Sequence, residues 1–141
     1  MAHEKFPVEI LSPEGKVWEG EVEMISTRTT TGSIGILANH TPLLAMLDPT
    51  ELRLYESEND VIRFAQADGY LQVGGNRALM LLEEAHPPDE LDVGQLREKL
   101  QRAEQEIEST EEGSEQRRIA ERDRQRWETF LEIAEGGGGS G

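Results

Sequence analysis

Cysteine is absent from all 141 residues, which rules out disulfides, thiolate nucleophiles and cysteine-ligated metals together. Aromatic residues are scarce at 5%, and hydrophobic residues reach only 35%. The apolar residues concentrate before Ala85, so the core is modest in size and belongs to the first part of the chain. Basic residues are outnumbered, 14 against 29 acidic ones, giving a net charge of −15. Nucleic-acid and anionic-membrane binders need clustered Lys and Arg, so neither is expected as a general partner. The acidity is not a tail effect, since residues 1–88 carry a net −8 and residues 89–141 a net −7. No stretch approaches the roughly 20 apolar residues of a membrane span, and Met1 to Glu9 has no signal-peptide apolar region. Direct membrane insertion is therefore not expected, and any membrane association would come through a protein partner. A cysteine-free chain fits a cytosolic setting.

The signatures of independent chemistry are missing as well. His3, His40 and His86 lie far apart and lack ligand spacing, which argues against a metal site. Gly32 to Gly35 is too short for a phosphate-binding loop and has no Lys, and no Gly-x-Ser-x-Gly occurs. Carboxylate pairs such as Glu83-Glu84 are unremarkable where 30% of residues are charged. No catalytic residue, cofactor or metal is expected.

What is present is β structure in short pieces. Val8 and Ile10 alternate with Glu9, and Val22, Met24 and Ser26 alternate with Glu23 and Ile25. Leu52 and Leu54 flank Arg53, and Ile62 and Phe64 flank Arg63. Ala78 to Leu82 is apolar on both sides and reads as a strand buried on both faces. Turn residues separate these pieces at Pro13-Glu14-Gly15, Asp48-Pro49, Asp68-Gly69 and Gly74-Gly75, a spacing that indicates a sandwich or barrel. At His86-Pro87-Pro88 the period changes from two to helical. Val93, Leu96, Leu100, Ala103 and Ile107 form a narrow seam, with Asp92 as its N-cap and Gln95 completing a capping-box pattern. Gly113 and Ser114 end one helix and cap the next. The second carries Ala120, Trp127, Leu131 and Ala134 on one stripe, with Ile119 and Phe130 at its border. The chain thus divides into a β unit over 1–86, a proline-containing linker over 87–90, an antiparallel helical hairpin over 91–135, and a flexible Gly/Ser tail over 136–141.

Within the second helix Arg118, Arg122 and Arg126 follow at i, i+4 and i+8. They read either as a solvated face balanced by Glu115, Glu121, Asp123 and Glu128, or as a docking strip for an acidic partner. Trp127 and Phe130 read as seam packing, and His40 as a turn residue bonded to local backbone.

One stretch narrows the function more than any other. Gly32-Ser33-Ile34-Gly35-Ile36-Leu37-Ala38-Asn39-His40-Thr41-Pro42-Leu43-Leu44 is a strand with close backbone approach at its glycines, followed by a corner set by Pro42. It resembles the GxxGIL-x-x-H-x-PLL signature of the epsilon subunits of F-type ATP synthases. Val8 to Pro13 with Val17 to Gly20, Asp68 to Val73, and Asn76 to Ala85 resemble further segments of that family in the same order. The resemblance covers the chain up to Glu135.

The resemblance implies an α+β fold: an N-terminal ten-stranded β-sandwich followed by a C-terminal antiparallel two-helix hairpin. It implies a non-catalytic central-stalk rotor component that couples proton flow to ATP synthesis at the cytoplasmic face of the bacterial cell membrane. The implied partners are the gamma subunit, the polar loops of the c-ring and, through the hairpin, the catalytic beta subunit, whose contact would inhibit ATP hydrolysis. The turn around Ser33 and His40 is expected at the c-ring, with Ile36, Leu37, Leu43 and Leu44 near subunit contacts and Arg118, Arg122 and Arg126 facing the beta subunit. Ser33 stands where the family commonly has an acidic residue, and Ala38-Asn39 where it commonly has Pro-Gly. The family's nucleotide-binding motif is incomplete: Leu91-Asp92 is present, but Gln95 and Leu96 occupy the positions of its Arg-Ala. The alternative is a free-standing nucleotide-sensing or adaptor module built of the same two parts.

Overall fold

The structure is a computed structural model and describes residues 3–136; of the tail, residues 137–141 lie outside the described residues. The described residues form two compact units, divided between Pro87 and Pro88.

Among its described residues the first unit contains ten strands: β1 (Phe6–Ser12), β2 (Gly15–Val22), β3 (Met24–Thr29), β4 (Gly32–Leu37), β5 (Leu43–Leu47), β6 (Thr50–Tyr55), β7 (Val61–Gln66), β8 (Gly69–Gly74), β9 (Arg77–Leu82) and β10 (Ala85–His86). Hydrogen bonding runs in the order β10-β7-β6-β3-β5-β8-β9-β1-β2, with β4 added to β3. The join between β3 and β5 is a single register pair, Thr29 opposite Leu47. About this narrow join the sheet folds into two halves, β4-β3-β6-β7-β10 and β5-β8-β9-β1-β2. Their inner residues form one core, with Ile25, Ile36, Leu52 and Leu54 from one half meeting Phe6, Ile10, Leu71 and Met80 from the other. Among the described residues all pairings are antiparallel except β1 with β9.

Two turns have clear chemical causes. Gly75 and Asn76 connect β8 to β9, both with φ of 58°, the double left-handed pair that matches strand twist in a tight hairpin. A side chain at Gly69 would place its Cβ 2.0 Å from the Leu81 carbonyl oxygen, so β8 approaches β9 more closely than any other residue permits.

Two strand expectations are revised. The phase of Val22, Met24 and Ser26 breaks at Glu23: Val22 is buried, but beyond the bend Ile25, Thr27 and Thr29 point inward while Met24 and Ser26 do not. A backbone hydrogen bond from the Glu23 amide to the Tyr55 carbonyl (2.7 Å) fixes that bend. β9 is not buried on both faces either. Ala78, Met80 and Leu82 enter the core, but Leu79 is half-buried and Leu81 is 45% exposed.

The second unit contains a 3-10 turn (Pro88–Glu90) and the helices α1 (Val93–Ser109) and α2 (Glu115–Ala134). Asp92 caps α1, its carboxylate accepting from the Gln95 amide at 3.1 Å, and Ser114 caps α2 through the Arg117 amide at 3.1 Å. Gly113, at φ +81°, makes the reversal between them. Leu96, Ala103 and Ile107 are the buried residues of α1. On α2 the buried stripe is Ala120, Arg126, Phe130 and Ile133, rotated from the expected one through Trp127, Leu131 and Ala134. Burial follows the apolar bulk of Phe130 and Ile133, while Trp127, with its indole N–H, keeps to the edge. Trp127 meets Phe130 edge-to-face, ring centroids 5.9 Å apart. An Arg97–Glu135 ion pair (2.6 Å) ties the start of α1 to the end of α2.

Candidate functional site

The strand register separates the residues expected in one turn. Ser33 lies beside the Thr30-Thr31 hairpin, whereas His40 follows Leu37 at the opposite end of β4, on the order of 15 Å along the strand. They belong to two different ends of the sandwich.

At the Ser33 end, the Thr29 hydroxyl donates to the Gly32 carbonyl (3.0 Å) and accepts from the Thr31 amide (3.2 Å), fixing an uncharged turn. Asp48-Pro49, Asp68 and the Ser12–Gly15 turn lie at the same end by register. Thr30, Thr31 and Ser33 are exposed. At the other end Asn39, at φ 63°, donates its backbone N–H to the Asn76 side-chain oxygen at 2.7 Å. This bond fastens the β4–β5 corner to the β8–β9 turn. His40 Nδ1 lies 2.7 Å from the Thr41 carbonyl oxygen, in line with a ring bonded to local backbone.

The remaining expected residues of this region are dispersed. Ile36 is fully buried and offers no surface, because it points into the core opposite Ile25. Leu43 is half-buried and packs against the core. Leu44, one residue on, is 73% exposed on the outside of β5, and Leu37 is 42% exposed on the outside of β4.

Leu44 leads to a feature that the sequence reading missed. Met46 is opposite Tyr70, Tyr70 opposite Leu81, and Leu81 opposite Leu11. Directly opposed residues stand on the same face about 5 Å apart, so these side chains form one row across β5, β8, β9 and β1. Met46 is 56% exposed and Tyr70 is 50% exposed. Leu44, Gln72 and Leu79 make the adjacent row. The signal was present in Leu43 to Leu47 and Ala78 to Leu82: a strand apolar on both faces either has both faces buried or has its outer face kept for a partner.

In the second unit, Arg118 forms a bidentate ion pair with Glu115 on the first turn of α2. That pair raises the Arg118 guanidinium and lowers the Glu115 carboxyl from their ordinary ranges, chiefly by hydrogen bonding. Arg122 is exposed, but Arg126 is buried, its guanidinium 5.5 Å from the Trp127 ring centroid. The three arginines therefore do not form one exposed strip, and Arg126 belongs to the packing. A groove of about 540 Å³ runs along the hairpin, floored by Ala103 and Ala120, with Lys99 Nζ 4.6 Å from the Trp127 ring. The Asp92 carboxylate is engaged as a helix cap. Among the described residues no three His, Asp or Glu side chains are grouped to hold a metal ion, and no helix is long and apolar enough to cross a membrane.

A sandwich with an exposed apolar row on one side and a helical hairpin appended is the make-up of a docking subunit within a larger assembly. Residues 5–88 match the family described as the ATP synthase, Delta/Epsilon chain, beta-sandwich domain. The chain belongs to that family. It is 37% identical over 130 residues to the ATP synthase epsilon chain of Persephonella marina, covering 92% of this chain and 96% of that one. It is 31% identical to the epsilon chain of a Sulfurihydrogenibium species, with the same 92% and 96% coverage. In fold it is similar to a chain of the mitochondrial ATP synthase of Euglena gracilis, solved with its OSCP, F1 and c-ring. That match has a TM-score of 0.77 at 21% identity and covers 89% of this chain and 79% of that one. A chain of the Tetrahymena thermophila mitochondrial ATP synthase central stalk and c-ring matches with a TM-score of 0.60 at 16% identity, covering 95% and 99%. The homologues are non-catalytic subunits of the complex.

Proposed function

We propose that this chain works as the epsilon subunit of a proton-translocating ATP synthase, a rotor component at the cytoplasmic face of a bacterial membrane. The exposed row Met46, Tyr70, Leu81 with Leu44 is the observation that carries the reading. A chain with net charge −15 has no solubility reason to leave this row uncovered, and a protein partner removes it from water. The gamma subunit is that partner. The Thr30–Ser33 turn, itself uncharged though Asp48, Asp68 and Glu14 stand at the same end, suits the polar loops of the c-ring. With Ser33 in place of an acid, the turn itself offers neutral hydrogen-bonding groups at that position rather than an ion pair. The sandwich thus clamps stalk to ring and transmits torque without making or breaking a bond. The hairpin, through Arg118 and Arg122, restrains hydrolysis by contact with the catalytic beta subunit.

The test is complementation. Membrane vesicles lacking their epsilon subunit should regain proton-coupled ATP synthesis when this chain is supplied. A chain that binds neither gamma nor the c-ring, and restores no coupling, would refute the proposal.

A further inference from the structure

β4 is an edge strand of unusual composition. From Gly32 to Asn39 there is no charged residue, in a chain where 30% of residues are charged. Among the described residues β4 pairs only with β3. Soluble proteins guard such edges with Lys, Pro, bulges or covering loops, because an open row of amides and carbonyls accepts another strand. No such guard residue stands within β4.

The direction of the open groups follows from the register. On β3 the Arg28 carbonyl accepts from the Asp48 amide (3.1 Å), and the Thr30 amide donates to the Met46 carbonyl (3.0 Å). These groups face away from β4. By alternation Thr29, Thr27 and Ile25 face β4, where they pair with Gly32, Ile34 and Ile36. The amides and carbonyls of Ser33 and Gly35, and the amide of Leu37, therefore point to the open edge. The Leu37 carbonyl is occupied by the His40 amide (3.3 Å). Ser33 and Gly35 are exposed.

Gly35 adds an independent observation. It is not left-handed, and a Cβ there would meet nothing nearer than Met24 Sδ at 3.7 Å, an ordinary contact. Neither backbone conformation nor internal packing requires glycine. A mid-strand glycine weakens its strand, and it suits a place where another backbone comes close.

We infer that β4 is a strand-addition edge, at which an extended segment of the gamma subunit pairs main chain to main chain. This rests on the reading of the chain as a gamma-docked stalk subunit. Gamma is favoured because β4 runs through the fastened corner directly into Leu44, where the apolar docking face begins. A second copy of this chain is disfavoured because each copy carries −15 and the two repel. Main-chain pairing gives the partner a fixed register, which a flat apolar row alone does not supply.

The experiment is residue-resolved amide hydrogen exchange on the full chain, free and saturated with purified gamma subunit. The Ser33 and Gly35 amides should slow at least tenfold on binding, while Ile34 and Ile36, already paired with β3, change little. S33P, which removes an outward donor, and G35K, which installs an edge guard, should each weaken gamma binding at least tenfold and leave the strand circular dichroism of the free chain unchanged. If the complex forms while Ser33 and Gly35 exchange as fast as in the free chain, the edge inference is overturned and the docking reading stands. Absence of any complex overturns both. Protection of the same amides without gamma, growing with protein concentration, assigns the edge to a second copy and overturns the inference.

Discussion

Gln66 is completely buried and spends its amide on two partners. Its oxygen accepts from the Thr27 hydroxyl at 2.6 Å, and its nitrogen donates to the Asp48 carbonyl at 2.8 Å. These bonds link β7, β3 and the β5–β6 turn close to the single register pair that joins the two halves of the sheet. Gln66→Leu leaves a hydroxyl and a carbonyl unpaired in the core and should cost about 3 kcal/mol by urea denaturation. Adding Thr27→Val removes one stranded group, so the double variant should be less destabilised than the sum of the singles. A second residue-scale prediction concerns pH. The Glu19 carboxyl is held below its ordinary 4.5 first by its hydrogen bond to Lys16, and the Lys16 ammonium is held above its ordinary 10.5 by the same bond. A lowered carboxyl contributes stability above pH 4.5 that is lost as pH falls through its folded value. A raised ammonium contributes below pH 10.5 and loses it as pH rises through its folded value. Thermal melts should therefore be flat in this respect between those limits, and Glu19→Gln should remove the pair's share of the acid-side slope. Both groups are exposed, so the effect is small and high salt should erase it.

At the scale of elements, the strands were legible because one-sided burial writes alternation into sequence: Val8 and Ile10 on β1 and Leu52 and Leu54 on β6 are buried in the expected phase. β9 misled because its outer residues are apolar too, and periodicity cannot separate a face buried in the fold from one kept for a partner. Ser33 and His40 do not share one turn, because β4 runs between them and an extended strand carries its ends apart. The caps at Asp92 and Ser114 were readable from side-chain chemistry alone. The burial phase of α2 was not, because a narrow seam on a helix with five arginines in ten residues fits two rotations nearly equally well. The observed rotation makes a prediction. Phe130, 1% exposed, should be the keystone of the hairpin, and Phe130→Ala should cost about 3 kcal/mol. Loss of helical circular dichroism together with a change in Trp127 fluorescence would report it, while the strand signal persists. A cost well under 1 kcal/mol would show that Phe130 does not pack in the seam.

For the whole molecule, the proposed function divides two tasks, assembly by the apolar face and restraint by the charged hairpin. Deleting residues 88–135 should raise ATP hydrolysis by the assembled complex severalfold and leave synthesis largely intact. Arg118→Ala with Arg122→Ala should reproduce part of that rise, whereas Arg126→Ala should act by loosening the hairpin and lower its stability. Equal hydrolysis with and without the hairpin would remove the inhibitory role and leave the docking role untouched. Docking is the central claim, and the equilibrium binding of purified gamma subunit to the full chain tests it most directly. Met46, Tyr70 and Leu81 are exposed, so replacing all three with serine should leave the fold and its melting temperature nearly unchanged. The account predicts that this triple variant binds gamma at least a hundredfold more weakly, about 3 kcal/mol, because the centre of the contact is lost. Binding at wild-type affinity by a well-folded triple variant would contradict it.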